Sequence, residues 1–174
     1  MNWYWLCDIY GATDAARQAA GELGMTLIAP YEGQQGDDGD VHGHFQAWGG
    51  WERYLALVKE RLAAEHDFGL LGFSVGAAIA WVLAAEGRAA RAIGFYGGQC
   101  RHFTELTPRC DTTLIWPHAE DHFELDGLIC GLAGKEYLTQ LRTGHRHGFM
   151  NPHSQGFDNQ AALQWLTWLK EACH

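Results

Sequence analysis

The sequence predicts an α/β fold in which a mostly parallel sheet of about six strands is covered by helices on both faces. Three observations carry that expectation. Short apolar runs alternate with helix-forming runs along nearly the whole length. The central run, Phe68 to Phe73, passes through Ser74 into the Ala-rich stretch from Val75 to Ala85 without a polar break. There is no internal repeat, low-complexity tract or second composition, so the 174 residues are expected to form one domain over positions 1–174.

Trp3 to Cys7 reads as an aromatic strand that ends in the turn Asp8-Ile9-Tyr10-Gly11. Thr13 can cap the helix that follows, with Ala16, Ala19, Ala20 and Leu23 on one face and Gly24 as its stop. Met25 to Ala29 is the second strand, closed by Pro30. From Tyr31 to Gly50 the composition shifts to Gly, Asp, Gln and His with little periodicity, which predicts a surface loop acting as a lid. Trp51, Tyr54, Leu55, Val58 and Leu62 then keep helical spacing as core residues.

After the helix that stops at Gly87, Ala92 to Tyr96 and Thr112 to Trp116 are strands, joined by an irregular connection over 97–111. Leu125 to Leu132 reads as a short helix and Tyr137 to Arg142 as the final strand. Asn159 to Ala172 closes the chain as a helix with Ala162, Trp165, Leu166 and Leu169 on one face.

The formal net charge is -9 and no basic tract interrupts it, which argues against nucleic acid or an anionic membrane as partner. The first residues lack a basic leader and no apolar run is long enough to span a bilayer, so a cytoplasmic location is expected. Five cysteines without C-x-x-C spacing make neither a disulfide framework nor a zinc site. Asp37, Asp38, Asp40, His42 and His44 lack a defined ligand spacing, as do His118 and His122, so neither metal nor cofactor is expected. A small molecule is the expected partner, bound by a monomer or homodimer.

Gly72-Phe73-Ser74-Val75-Gly76 lies where a strand becomes a helix, the context of a G-x-S-x-G nucleophile elbow. The two glycines permit a sharp turn and leave the serine strained with its hydroxyl projecting. A serine needs an imidazole to take its proton, a carboxylate to orient that imidazole, and amide donors for the oxygen that becomes negative. In folds of this kind the order along the chain is serine, acid, histidine. Asp121, beyond the strand ending at Trp116, occupies the acid position, in competition with Glu120 and Asp126. The loop Gly144-His145-Arg146-His147-Gly148-Phe149 supplies the histidine, and Val75 and Ile9 the amides.

These motifs together resemble the dienelactone hydrolase family of the α/β-hydrolase superfamily. Asp8-Ile9-Tyr10-Gly11 is similar to its E-I-F-G turn, Gly72 to Gly76 to its G-x-C-x-G elbow, and Gly94-Phe95-Tyr96-Gly97 to its G-Y-Y-G strand end. Asp121-His122-Phe123 resembles its acid loop and His147-Gly148-Phe149 its histidine loop, which selects His147 over His145. The resemblance implies an α/β-hydrolase fold lacking the two strands that usually precede the Asp8 strand. It also implies hydrolysis of a small ester, lactone or thioester by Ser74, Asp121 and His147, with Asp8, Tyr96, Phe149 and Trp48 lining the substrate pocket. Ser74 stands where the family's type member has cysteine, and Asp8 where it has a glutamate that interacts with that thiol. The alternatives are a non-catalytic small-molecule binder of the same fold and a metal-dependent hydrolase using the His-rich loops.

Overall fold

A computed structural model describes residues 1–31 and 39–173. Six strands form one sheet: β1 (Asn2–Leu6), β2 (Thr26–Ile28), β3 (Phe68–Phe73), β4 (Arg91–Phe95), β5 (Asp111–Trp116) and β6 (Leu138–Arg142). Their order is β2-β1-β3-β4-β5-β6 and every neighbouring pair is parallel. The helices are α1 (Asp14–Glu22), α2 (Val41–Trp48), α3 (Gly50–Arg61), α4 (Val75–Ala85), α5 (Leu125–Leu132) and α6 (Asn159–Ala172), with a 3-10 turn over Gly98–His102. The chain places β2 on one side of β1 and then crosses to the other side, so the strand order reverses between β1 and β3. At such a reversal the loops leaving the two strands diverge and open a crevice beyond their carboxyl ends, where open α/β sheets bind ligands.

Side-chain alternation sorts the core onto the two faces. Phe68 and Leu70 of β3 pack with Tyr54 and Val58 of α3 and Ile79 and Leu83 of α4. Leu71 and Phe73 face the other way, into the cluster with Ala20 of α1 and Leu169 of α6. A strand buried on both faces must be apolar throughout, which is why β3 reads as an unbroken run. β6 sits at the sheet edge, and its alternation of half-buried and exposed residues reflects a single covered face.

Local chemistry sets the helix ends. The Thr13 and Asp158 side chains accept from the amides of Ala16 and Ala161, capping α1 and α6. The segment expected as a loop over 31–50 differs in part. Residues 32–38 lie outside the described residues, while 41–48 form α2, capped by Asp40 through the Gly43 amide at 2.8 Å. The sequence hides this helix because it is short and buries a single side chain. Only Phe45 is buried, with the Trp48 ring packed against Tyr31 and Tyr54. All five cysteines are free. Among the described residues no helix is long and apolar enough to cross a membrane.

Candidate active site

The site is built where β3 gives way to α4. Ser74 has φ 51° and ψ -113°, a left-handed conformation that a residue with a Cβ adopts only when its surroundings impose it. The imposition is visible. The Ser74 amide donates to Phe95 O at 2.9 Å, and Ser74 O accepts from the amides of Ala77 and Ala78. Gly72 and Gly76 let α4 lie on the sheet: a Cβ on Gly72 would run into Gly76 O, and one on Gly76 into Leu6 O and, at 2.8 Å, Cys7 O. Larger residues at either position would lift the helix away and flatten the turn.

Ser74 Oγ is 3.2 Å from His147 Nε2, and His147 Nδ1 is 2.8 Å and 3.1 Å from the two oxygens of Glu120. A carboxylate accepts from Nδ1-H, which leaves Nε2 unprotonated to accept from the serine hydroxyl. Glu120 is 8 % exposed and His147 40 %, so the carboxylate is sheltered while the imidazole edge faces the cleft.

The carboxylate that meets His147 is therefore Glu120, not the expected Asp121. The reason is how the turn after β5 is tied to the loop after β6. His118 N-H donates to His145 O at 2.6 Å, Thr143 N-H to Trp116 O at 2.9 Å, and Arg142 Nη2 to His118 O at 2.7 Å. These bonds fix the turn so that Glu120 points inward beneath His147 and the next residue, Asp121, points into solvent at the cleft mouth. The other competitor, Asp126, pairs with Arg142 at 2.6 Å. His145 lies against Phe149 and 3.5 Å from Asp158, away from Ser74.

The four residues expected to line the substrate pocket do not line the cleft of about 970 Å³ around Ser74, whose walls include Tyr10, His42, Arg101, His118, Phe123, Arg146 and His153. Phe149 is fully buried and packs on Phe95 and Tyr96, so it anchors the histidine loop from below. Tyr96 is buried behind His147, ring centroids 4.9 Å apart, and backs the imidazole. Trp48 packs against Tyr31 and Tyr54 and under the Arg53 guanidinium. Asp8 and Tyr96 border a smaller apolar hollow of about 270 Å³ between α1 and α6 that contains neither Ser74 nor His147.

Asp8 makes no contact with Ser74 of the kind the family's glutamate implies. Its Oδ1 accepts from the Tyr10 amide at 2.9 Å and its Oδ2 from Asn151 Nδ2 at 2.7 Å. Burial pushes the carboxyl above its ordinary range, against the downward pull of those hydrogen bonds and of His147 and His153. Ile9 lies in the turn just beyond β1, after Cys7 and Asp8, and Val75 opens α4, which puts both amides at the carboxyl edge of the sheet beside the elbow. Tyr54 Oη donates to Cys7 O at 3.0 Å and Ile28 O at 2.9 Å, holding the end of β1 from beneath. Asn151 and Tyr54 had no motif to announce them. A buried aspartate requires a donor, and that requirement is the signal that could have found Asn151. Among the described residues no three His, Cys, Asp or Glu side chains converge into a metal-sized cluster.

Residues 44–172 match the family model described as "Dienelactone hydrolase family". The chain belongs to that family. Over 121 residues it is 32 % identical to the uncharacterized protein YczH of Bacillus subtilis (strain 168), an alignment covering 68 % of this chain and 59 % of that protein, so the match spans about three fifths of the relative's length. Among solved structures it is similar to alpha/beta hydrolase domain-containing protein 10 from mouse, with a TM-score of 0.66 at 12 % identity over 99 % of this chain and 89 % of the other. A monoacylglycerol lipase of Paleococcus ferrophilus gives 0.64 at 10 % identity over 97 % and 94 %. At such identities the likeness is one of fold: the α/β-hydrolase sheet, here of six parallel strands.

Proposed function

We propose that this member of the dienelactone hydrolase family is a serine hydrolase that cleaves a small carboxylic ester, lactone or thioester through an acyl-enzyme. The observation that carries the reading is the line Ser74 Oγ, His147, Glu120, at 3.2 Å and 2.8 Å. His147 Nε2 takes the hydroxyl proton as Ser74 Oγ bonds to the substrate carbonyl carbon. The Ile9 and Val75 amides donate to the oxygen that becomes negative, aided by the positive end of α4. Collapse breaks the bond to the leaving group, which receives the proton from His147. A water molecule then repeats the sequence on the acyl-serine, releasing the acid and restoring the hydroxyl. Glu120 stays ionised throughout and stabilises the imidazolium. Family membership supports hydrolysis.

A serine-directed fluorophosphonate probe tests this together with a series of aryl esters of increasing acyl length. Wild-type protein should be labelled on Ser74 and turn over the shorter esters. Ser74→Ala should lose the label and retain less than about a thousandth of the rate, the scale left by binding and oxyanion stabilisation. Binding of an ester without turnover or labelling would instead indicate a protein that keeps the fold and only binds.

A further inference from the structure

On the reading of the site given above, we propose that Asp8 and Asn151 form a positioning pair that sets the oxyanion turn and the histidine loop against each other. Asp8 carries the turn at the end of β1. Its backbone oxygen accepts from the Gly11 amide at 3.1 Å and its Oδ1 from the Tyr10 amide at 2.9 Å, fixing the peptide that carries the Ile9 amide and the one after it. Its Oδ2 reaches across the crevice to Asn151, 143 residues away in the chain, at 2.7 Å.

Asn151 is equally committed on its own side. Its amide N-H donates to Gly148 O at 2.9 Å, the residue after His147, and its Oδ1 accepts from the His153 amide at 2.9 Å. With its oxygen taken, its NH₂ group must face the carboxylate. Among the described residues this is the one side-chain hydrogen bond between residues 8–11 and residues 146–158; the Tyr10 ring stacked 6.2 Å from His153 is the accompanying contact. The base and one oxyanion donor thus rest on two loops joined by a single sheltered bond. Attack requires both to be in place at once, and small misplacements are costly to rate.

The donor and acceptor pattern provides a test. Asp8→Asn alone forces two NH₂ groups together, or turns one amide so that it opposes a backbone N-H. Asn151→Asp alone sets two carboxylates face to face. The exchanged pair Asp8→Asn with Asn151→Asp keeps every bond: the amide at 8 accepts from Tyr10 and donates across, and the carboxylate at 151 accepts that bond and the one from His153. The four proteins are compared on p-nitrophenyl acetate at a temperature where thermal scans show all of them folded. Each single variant should lose about tenfold or more in kcat with KM within about twofold, and the exchange should restore kcat to within about threefold of wild type.

The same four are compared by proton NMR of the His147 Nδ1-H, whose hydrogen bond to Glu120 should broaden in the single variants and recover in the exchange. Wild-type kcat in folded single variants, or losses the exchange does not recover, would overturn the proposal. Wild-type protein that neither turns over esters nor takes the fluorophosphonate label, while the NMR pattern holds, would sink the hydrolase reading and leave the pair as what positions His147.

Discussion

The elbow and the acid turn lie on opposite sides of His147 and are built in opposite ways. Ser74 sits between a strand and a helix whose residues from Phe68 to Ala85 are all buried apart from the serine itself. Its conformation is enforced by close backbone packing, and no flexible side chain takes part. Glu120 sits in a turn where His118, Ala119 and Asp121 are exposed. What orients it is a handful of hydrogen bonds to a loop more than twenty residues further on. A nucleophile held in a strained conformation needs a rigid mould, whereas a carboxylate that only has to meet one ring nitrogen can be placed by loop-to-loop stitching.

The largest effects expected from this comparison are on turnover. Glu120→Gln keeps the shape of the side chain but offers Nδ1 an amide in place of a carboxylate, so the imidazolium loses its counter-charge and the tautomer its preference. We expect a loss of about a thousand- to ten-thousandfold in kcat. Asp121→Asn, one position along and facing solvent, should change kcat by less than about tenfold. Steady-state kinetics on one aryl ester decides the matter, and the reverse ranking would return the acid to Asp121.

Next in size are effects on stability at the elbow's glycines. Gly76→Ala drives a methyl group into the Leu6 and Cys7 carbonyls, backbone atoms that cannot swing aside. It should cost about 2 kcal/mol or more, or prevent folding. Gly127→Ala, in α5, meets nothing within 4 Å and should instead stabilise by up to about 1 kcal/mol, because alanine is the better helix former. Denaturant unfolding of the two variants measures both signs. Equal effects would mean that the mould around Ser74 is softer than its contacts imply.

The same contrast explains what could be read from the sequence. Strand, turn and helix around Ser74 were legible because their determinants lie within about eighteen consecutive residues, where apolar period and glycine placement act locally. The choice between Glu120 and Asp121 was not, since both residues suit the chemistry and sit in the same turn. Only the tie from His118 to His145 says which one faces inward. The family resemblance puts Tyr96 and Phe149 in the pocket, but burial of both assigns them to supporting the histidine loop. Helix α2 escapes a reading by periodicity because its eight residues give barely two turns and bury only Phe45.

The smallest effect concerns Asp8, which belongs to the rigid side through β1 and to the stitched side through Asn151. Burial raises its carboxyl above the ordinary 3.8, so the folded chain holds that proton more tightly than the unfolded chain does. Between 3.8 and the raised folded value the unfolded carboxyl is ionised while the folded one is still protonated. Unfolding therefore releases a proton in this window, and the stability Asp8 contributes falls as pH rises through it. Asp8→Asn cannot titrate and lacks this fall. The difference in thermal midpoint between wild type and Asp8→Asn should thus move in favour of the variant as pH rises from about 4 and become constant once the folded carboxyl has ionised. Each unit of the raised pKa corresponds to about 1.4 kcal/mol, or roughly 3 °C for a chain of this size. Titrating groups that do not interact with Asp8 are common to the two proteins and cancel in the difference. A difference that moved the opposite way would mean that the bonds from Asn151 and Tyr10 outweigh burial and hold the carboxylate ionised, making the joint between the two regions a charged one.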